Sequence, residues 1–185
     1  MLNSSDIADR CTLARGSHGR PAAFFDRDGV LNVDKGYVHR VADFEWIEGA
    51  KEAIRYLNAR AYAVIVVTNQ SGVARGYFQE KDVLALHDWM GHQLGELGAW
   101  IDAFYYCPTH PEGTVEPYRC SSEFRKPAPG MILQAISELG IDKSRSFMIG
   151  DKPDDLIAAT RAGIRGRLFD GTDLYRLVTD CIAQL

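Results

Sequence analysis

Five short apolar runs alternate along the chain with segments in which apolar residues recur every three or four positions. The length and continuous apolar character of these runs are typical of strands buried on both faces. The runs lie near 22–26, 62–67, 101–106, 146–150 and 164–169. The helical spacing occurs near 50–60, 79–97, 129–139, 153–162 and 173–182. The alternation predicts an α/β fold, a Rossmann-like three-layer α/β/α sandwich on a mainly parallel sheet.

Residues 1–20 are polar and lack this periodicity, so we interpret them as a loose N-terminal arm ahead of a single domain at 21–185. In the helix predicted near 79–97, one stripe of side chains faces the core or an interface. The stripe consists of Val83, His87, Met90, Leu94 and Leu97. The segments between the predicted strands leave no room for a second, cap domain.

Composition and charge exclude several classes of protein. The net charge is −4 with 25% charged residues, which disfavours nucleic acid as a partner. An apolar run of 18 residues and the apolar region of a signal peptide are both missing, so we expect no membrane association. The four cysteines are widely separated, which indicates a reducing cytoplasm. Without an evident interface stripe, we expect a monomer.

Two aspartates directly follow the first apolar run. Asp26 and Asp28 stand two residues apart, and Gly29 allows the chain to turn sharply after them. In an open α/β sheet, ligands bind in the crevice at the carboxyl ends of the strands. Two carboxylates this close repel each other, so the pair indicates a divalent cation or a shared proton. A turn with two solvated acids is the alternative interpretation.

Later parts of the chain supply further polar groups at predicted strand ends. Thr68-Asn69-Gln70-Ser71-Gly72 follows the second apolar run, and Gly150-Asp151 ends the fourth. Between them, Arg125-Lys126-Pro127 concentrates positive charge just before a helix. In this order, the four motifs resemble those of the haloacid dehalogenase superfamily of phosphatases. The resemblance covers roughly residues 22–180 and implies a capless haloacid dehalogenase-like fold with 21–185 as the catalytic phosphatase domain.

The resemblance implies a role for each motif residue. Asp26 matches the nucleophile that forms an aspartyl-phosphate, and Asp28 matches the general acid/base. The second aspartate separates phosphatases from the dehalogenases of the superfamily, which lack it. Thr68 matches the residue that hydrogen-bonds the phosphoryl group. Lys126 matches the lysine that neutralises phosphate oxygens and orients the nucleophile; a solvated loop lysine is the alternative.

The resemblance also implies a Mg²⁺ cofactor. Asp26, Asp151 and the backbone carbonyl of Asp28 match its protein ligands, all of them the hard oxygen donors that Mg²⁺ prefers. Asp155 completes a Gly-Asp-x-x-x-Asp spacing. We expect it to orient metal-bound waters or a neighbouring lysine, with a plain acid at a helix N-terminus as the alternative.

Local strings narrow the resemblance to the D-glycero-D-manno-heptose 1,7-bisphosphate 7-phosphatases and, across the same strings, to the histidinol-phosphate phosphatases. The strings include Phe25-Asp26-Arg27-Asp28-Gly29, Gly36-Tyr37-Val38, Cys107-Pro108 and Gly150-Asp151-Lys152. The heptose family implies removal of the 7-phosphate from a precursor of lipopolysaccharide or surface glycan.

Specificity residues follow from the heptose resemblance. It implies that Arg125 grips the distal phosphate, because a planar guanidinium binds phosphate bidentately. It places Lys152 at the pocket edge, with Asn69, through its backbone N–H, and Gln70 and Ser71 as further substrate contacts. A surface arginine at 125, and simple loop packing for Gln70, are the alternatives.

Three other functions remain open at this point. A histidinol-phosphate phosphatase would want an acid near the cationic amine, and Glu112, Glu116 and Glu123 are available in the variable loop. A polynucleotide 3′-phosphatase shares the catalytic core but conflicts with the acidic net charge. A phosphate-binding regulator without turnover conflicts with the intact set of motif residues.

A structural zinc is common in both groups of relatives, in a Cys-x-His and Cys-x-Cys pattern before the Arg-Lys motif. Here a threonine stands at the histidine position, so that Cys107, His110 and Cys120 offer at most three ligands. Structural zinc takes four, so we expect none. A loop packed by Tyr118 and Phe124 is the interpretation that we favour.

Overall fold

The carboxyl ends of five parallel strands form one edge of the molecule. The computed structural model describes residues 19–184, so residues 1–18, which hold most of the predicted arm, lie outside the described part. The strands are β1 (Ala22–Phe25), β2 (Ala63–Asn69), β3 (Ala103–Cys107), β4 (Phe147–Gly150) and β5 (Arg165–Leu168). All pairs are parallel, in the order β3-β2-β1-β4-β5. The helices are α1 (Ala50–Ala59), α2 (Glu80–Gly95), α3 (Gly130–Leu139), α4 (Pro153–Ala162) and α5 (Leu174–Ala183).

Apolar side chains cover both faces of the sheet. Phe25 of β1 packs into the cluster formed with α1, α2 and α5, whereas its neighbour Phe24 packs into the cluster formed with α3 and α4. Alternate strand residues point to opposite faces, so a strand covered on both sides must be apolar throughout. The predicted three-layer α/β/α architecture is confirmed. Among the described residues no cap domain interrupts it, and the loop between β1 and α1 holds a 3₁₀ turn at Val41–Asp43 and short bridges such as Asn32–Trp46.

Three details differ from the predicted elements. Helix α2 ends at Gly95, and Leu97 lies in the following turn with 47% exposure, so its place in the buried stripe was wrong. Strand β2 continues through Asn69, which makes Thr68 a strand residue. The described chain also joins the domain slightly before residue 21, because the Arg20 guanidinium lies 2.7 Å from Asp102.

The long loop between β3 and α3 is attached to the start of α2. Both the Tyr106 hydroxyl and the Tyr118 hydroxyl donate to the carboxylate of Glu80, each over 2.6 Å. Tyr106 and Tyr118 also pack against a small buried cluster made by Val73, Phe78 and Val83. Phe124 does not take part and is exposed, so only Tyr118 performs the predicted packing.

Strand β5 forms one edge of the sheet and differs in composition from the other four. Its sequence is Arg-Gly-Arg-Leu, and Arg165, Arg167 and Leu168 are exposed. The Arg165 guanidinium donates to the backbone carbonyl of Gln184, and Arg167 contacts the side chain of the same residue. Within the described part of the chain, none of the helices has the length and apolar character needed to cross a membrane.

Candidate active site

A fully buried lysine connects three elements at the carboxyl edge of the sheet. The Lys126 ammonium nitrogen lies 2.9 Å from Asp26 Oδ1, 2.7 Å from Asp155 Oδ1 and 2.8 Å from the carbonyl oxygen of Val67. These partners come from the end of β1, the first turn of α4 and strand β2. An ammonium group has three donors, so all of them are used. Lys126 therefore orients Asp26 in this state, and contact with a phosphate would require it to exchange a partner.

Burial and charge act in opposite directions on this cluster. Burial disfavours the ammonium form of Lys126, but the charges of Asp26 and Asp155 outweigh it, so the pKa of Lys126 is raised. Burial raises the pKa of Asp26, and Lys126 opposes this rise while Asp155 adds to it. The cluster is short of positive charge, with two buried carboxylates and one ammonium.

Asp26 presents one free carboxylate oxygen. Its Oδ1 accepts from the backbone N–H of Arg27 over 2.7 Å and from Lys126. The turn that follows β1 produces this geometry, because the N–H groups of Leu31 and Asn32 both bond to the carbonyl of Arg27. Oδ2 has no hydrogen-bond partner among residues 19–184 and is the oxygen available to a ligand or an electrophile.

Asp151 completes an acidic cluster. Carboxylate oxygens of Asp26, Asp151 and Asp155 lie within 4.8 Å of one another. Asp155 is held by Lys126, whereas Asp151 Oδ1 is buried and has no hydrogen-bond partner in the described chain. Burial raises the pKa of Asp151, and the charges of Asp26 and Asp155 add to that effect while Lys152 opposes it. Hard oxygen donors, an unpartnered buried oxygen and excess negative charge fit a Mg²⁺ ion.

A glycine leaves room for the Asp151 carboxylate beside the turn that follows β1. Gly29 has a φ of +89°, and a Cβ built at that position would lie 2.4 Å from Asp151 Oδ2. Any side chain there would displace the Asp151 carboxylate. The glycine after the aspartate pair is therefore required twice, for its backbone conformation and for the space beside Asp151.

Asp28 accepts hydrogen bonds from three side chains. Arg27 Nη2 lies 3.0 and 2.9 Å from its two oxygens, Asn32 Nδ2 lies 3.0 Å from Oδ1, and Gln70 Nε2 lies 3.1 Å from Oδ2. All three partners are fully or almost fully buried. Each contact donates to Asp28, so both of its carboxylate oxygens act as acceptors.

Behind Arg27 lies a buried histidine. Arg27 Nη1 is 3.5 Å from His87 Nε2, and the His87 ring stacks on Phe104 with centroids 4.4 Å apart. Burial, with a contribution from the Arg27 charge, lowers the pKa of His87 to about 3. A neutral His87 can accept a hydrogen bond from Arg27. It therefore supports Asp28 indirectly, by positioning Arg27. His87 was expected in the core or at an interface, and it lies in the core.

Two of the residues predicted to contact substrate have side chains that are already hydrogen-bonded within the protein. Gln70 Nε2 also donates to Thr68 Oγ1 over 2.9 Å, so Gln70 links Thr68 to Asp28. The Asn69 amide exchanges two 3.0 Å hydrogen bonds with the backbone of Lys126 and fixes the Arg-Lys turn. The partly exposed Ser71 has no side-chain hydrogen bond in the described part of the structure.

Each predicted specificity cation is a sequence neighbour of a residue of the Asp26 cluster, Arg125 of Lys126 and Lys152 of Asp151. Lys152 Nζ is 3.2 Å from Asp34 and 3.6 Å from Asp151 and is half exposed. Arg125 is partly buried, and within residues 19–184 its one side-chain hydrogen bond runs from Nη1 to the Thr109 carbonyl, over 3.4 Å. Neither sequence reasoning nor the motifs had singled out Asp34, which holds Lys152 at the rim.

The three zinc candidates have other partners. Cys107 Sγ lies 3.2 Å from Thr109 Oγ1, His110 Nδ1 accepts from the Glu112 backbone N–H, and the exposed Cys120 faces the Pro117 carbonyl. Across residues 19–184, the group of potential ligands close enough to share a metal ion is that of Asp26, Asp151 and Asp155.

Several residues of the site were not predicted. They are Arg27, Asn32, Asp34 and His87. Arg27 carried a signal, because a charged residue between two strand-end aspartates has to be buried or to point into the site. The others become visible only when the loops are folded together.

Comparisons with known proteins agree with this geometry. Two family models match, one described as haloacid dehalogenase-like hydrolase over residues 23–84 and one as HAD-hydrolase-like over residues 123–171. The solved structure of a HAD-like phosphatase from Mesorhizobium loti superposes with a TM-score of 0.80 at 34% identity, covering 90% of this chain and 86% of that one. D,D-heptose 1,7-bisphosphate phosphatase from B. bronchiseptica, solved with magnesium and phosphate, gives a TM-score of 0.76 at 29% identity, covering 89% and 99%.

Curated relatives extend the similarity to sequence. A D-glycero-β-D-manno-heptose-1,7-bisphosphate 7-phosphatase from Photorhabdus laumondii is 51% identical over 80% of this chain and 79% of its own length. The protein of the same name from Rhodopseudomonas palustris is 49% identical over 90% of this chain and 92% of its own length. With this identity and coverage, the chain is a phosphatase that belongs to the haloacid dehalogenase-like hydrolases, in the family of the D-glycero-D-manno-heptose-1,7-bisphosphate 7-phosphatases.

Proposed function

We propose that the chain is a Mg²⁺-dependent phosphatase that removes the 7-phosphate of D-glycero-D-manno-heptose 1,7-bisphosphate through an aspartyl-phosphate on Asp26. The observation that carries the chemistry is the free oxygen of the Asp26 carboxylate, which Lys126 and the Arg27 backbone fix near the unpartnered Oδ1 of Asp151. The names of the relatives, at 45–51% identity, support the substrate.

In the first half-reaction, Asp26 Oδ2 attacks phosphorus while the bond from phosphorus to the sugar oxygen breaks. Asp28, entering this step as the acid, gives its proton to that oxygen, so the sugar leaves as an alcohol. Mg²⁺, when held by Asp26 and Asp151, supplies the positive charge that lets an anionic nucleophile approach a phosphate dianion. Lys126 holds the attacking carboxylate in line through its bond to Oδ1.

In the second half-reaction, Asp28 takes a proton from water, and the oxygen of that water attacks phosphorus. The Asp26–phosphorus bond breaks, inorganic phosphate leaves, and Asp28 is again protonated. The contacts from Arg27, Asn32 and Gln70 suit the carboxylate form of Asp28 that this step requires. Protonation for the first half-reaction weakens at least one of them.

A capless site suits a substrate whose bulk remains outside. The cations Arg125 and Lys152 at the rim favour a substrate with a second anionic group. Histidinol phosphate, the second candidate, carries an amine instead and would need an acid near that amine. The acids available in the variable loop, Glu112, Glu116 and Glu123, are all exposed on the loop surface. The acidic net charge of −4 supports a small metabolite over a polynucleotide as substrate.

The deciding experiment compares phosphate release from heptose 1,7-bisphosphate and histidinol phosphate, with and without Mg²⁺. We expect a preference for the bisphosphate of at least a hundredfold in kcat/KM, loss of turnover in Asp26→Asn, and normal turnover in the matched surface variant Asp88→Asn. A preference for histidinol phosphate would overturn the substrate. Turnover in Asp26→Asn equal to wild type would overturn the chemistry.

We also propose a monomeric, cytoplasmic enzyme. Cys107, Cys120 and Cys181 are free thiols in the described structure, which suits a reducing compartment. Size-exclusion chromatography with light scattering tests the oligomeric state, and a mass of twice 20.6 kDa would contradict it.

A further inference from the structure

Two arginines and a histidine lie within electrostatic reach of one another, and none of them has a carboxylate partner in the described part of the chain. Arg75 follows β2 by six residues, and Arg125 directly precedes the catalytic Lys126. The charge of Asp154 affects the pKa of Arg125, and the charge of Glu112 affects the pKa of His110. Neither acid forms an ion pair with Arg75 or Arg125 in the described part of the chain. Partly buried guanidinium groups usually have an anionic partner, because burial penalises an unpaired charge.

The hydrogen bonds of His110 fix where its proton lies. The Glu112 backbone N–H donates to His110 Nδ1 over 3.0 Å, so Nδ1 is an acceptor and the neutral ring carries its proton on Nε2. Arg75 Nη2 lies 3.5 Å from that same Nε2. Two donors therefore face each other, and they cannot hydrogen-bond to each other. The pair requires a shared acceptor.

Arg125 approaches the same stretch of chain. Its Nη1 reaches the carbonyl of Thr109, the residue before His110, over a long 3.4 Å contact. Burial, and next the charges of Arg125 and Arg75, lower the pKa of His110, which places all three groups within electrostatic reach. Arg75 Nε is buried and has no hydrogen-bond partner in the described structure. Donors from three side chains therefore converge where the protein provides almost no acceptors.

The backbone holds Arg75 in this position. The Arg75 N–H donates to the Ser71 carbonyl over 3.0 Å, and Thr114 Oγ1 donates to the Arg75 carbonyl over 3.3 Å. The carbonyl of Ala74 also accepts from the N–H groups of Thr114 and Val115. The segment that carries Arg75 is thus attached to the same loop that carries His110, and the donors are arranged before a ligand arrives.

We propose that Arg75 and His110 form, with Arg125, a binding site for the phosphate group of the substrate that is not hydrolysed. This proposal rests on the proposed function, since it requires a substrate with two phosphates. The oxygens of one phosphate would accept from Arg75, from His110 Nε2 and from the Arg125 guanidinium. A guanidinium holds two oxygens at once, so a lysine at position 75 would not replace it.

Kinetics with two substrates test this role. We expect Arg75→Gln to lower kcat/KM for heptose 1,7-bisphosphate tenfold to a hundredfold through KM, and to leave kcat/KM for heptose 7-phosphate within twofold of wild type. His110→Gln should give a smaller loss of the same kind, and Arg75→Lys should recover little. Arg119→Gln, an exposed arginine of the same loop, is the matched control. Equal losses on both substrates would overturn the proposal.

A binding measurement separates this proposal from the choice of substrate. Inorganic phosphate is added to the wild type while the histidine ring resonances are followed by NMR, with His110 assigned from the His110→Gln spectrum. We expect the His110 resonance to shift at millimolar phosphate and to stay fixed in Arg75→Gln. A resonance that does not move in the wild type would overturn the site. A shift without any preference for heptose bisphosphate would retain the site and overturn the substrate.

Discussion

The ammonium nitrogen of Lys126 lies closer to Asp155, at 2.7 Å, than to Asp26, at 2.9 Å. The lysine is therefore positioned by the acid in helix α4 as much as by the carboxylate that it orients. Asp155 in turn is fixed by the N–H of Lys152, which donates to its Oδ2 over 3.1 Å at the start of α4. Helix capping and orientation of the nucleophile depend on one side chain.

We expect Asp155→Asn to lower kcat about tenfold to a hundredfold, corresponding to the loss of one charged hydrogen bond. The asparagine can still cap α4, but Lys126 loses one of the two charges that raise its pKa and that fix its position. Steady-state hydrolysis of an aryl phosphate measures the effect. The exposed Asp180→Asn, a change of the same size and charge, should keep the wild-type rate. An unchanged kcat in Asp155→Asn would contradict the positioning role.

Substitution of two glycines separates backbone strain from loss of the metal site. Gly29 and Gly36 both have positive φ, but a Cβ at Gly36 meets nothing within 4 Å, whereas one at Gly29 would strike Asp151. Both alanine variants should lose about 1 kcal/mol of stability from strain. Only Gly29→Ala should raise the Mg²⁺ concentration required for half-maximal activity, by tenfold or more. Equal Mg²⁺ curves for the two variants would contradict the assignment of Asp151.

The attachment of the long loop to Glu80 can be tested by proteolysis. Glu80→Gln removes the charge from the two hydrogen bonds that Tyr106 and Tyr118 donate. It should lower the free energy that holds the loop against α2 by about 1–3 kcal/mol. We expect trypsin to cleave after the exposed Arg119 about tenfold faster, with Glu112→Gln as the control. A zinc chelator should leave the wild-type cleavage rate unchanged. Faster cleavage with the chelator would show that a metal fastens the loop after all.

The buried His87 should make stability depend on pH. Its pKa is about 3 in the folded state, against 6.5 for the ordinary group, so the unfolded chain binds a proton that the folded chain does not. The stability that it contributes is complete above pH 6.5 and is lost as the pH falls towards 3. Between pH 7 and pH 5 this amounts to about 2 kcal/mol.

Urea unfolding at pH 7 and pH 5 measures this loss. His87→Gln should reduce the difference in the free energy of unfolding between the two pH values, because glutamine can accept from Arg27 but does not titrate. His92→Gln, on the exposed side of the same helix, should retain the full difference. The same pH dependence in all three proteins would show that His87 is not kept neutral by folding.

Sequence patterns predicted the layers of this fold well because each element satisfies a single rule. Strands β1 and β4, and β2 as far as Val67, are covered on both faces and are therefore apolar, and their ends place Asp26, Thr68 and Asp151 at one edge of the sheet. The error at Leu97 arose because helical spacing continues past Gly95, where the chain turns. Spacing alone does not show where hydrogen bonding stops.

The functions of Gln70 and Asn69 could not be predicted in the same way. Both are polar residues next to a strand end, where substrate contact and internal support have the same sequence pattern. Only the structure shows that Gln70 bonds to Asp28 and that Asn69 bonds to the backbone of Lys126. Arg75 and His110 are separated by 35 positions, so their approach depends on how two loops fold together.

The arginines on β5 have a consequence beyond their contacts with Gln184. An edge strand exposes unpaired backbone groups to which a strand of another molecule can add, the first step of edge-to-edge aggregation. Here Arg165 and Arg167 place two long cations along four residues of edge. An approaching strand would have to strip water from both charges. The two charges thereby protect this edge of the sheet against strand addition.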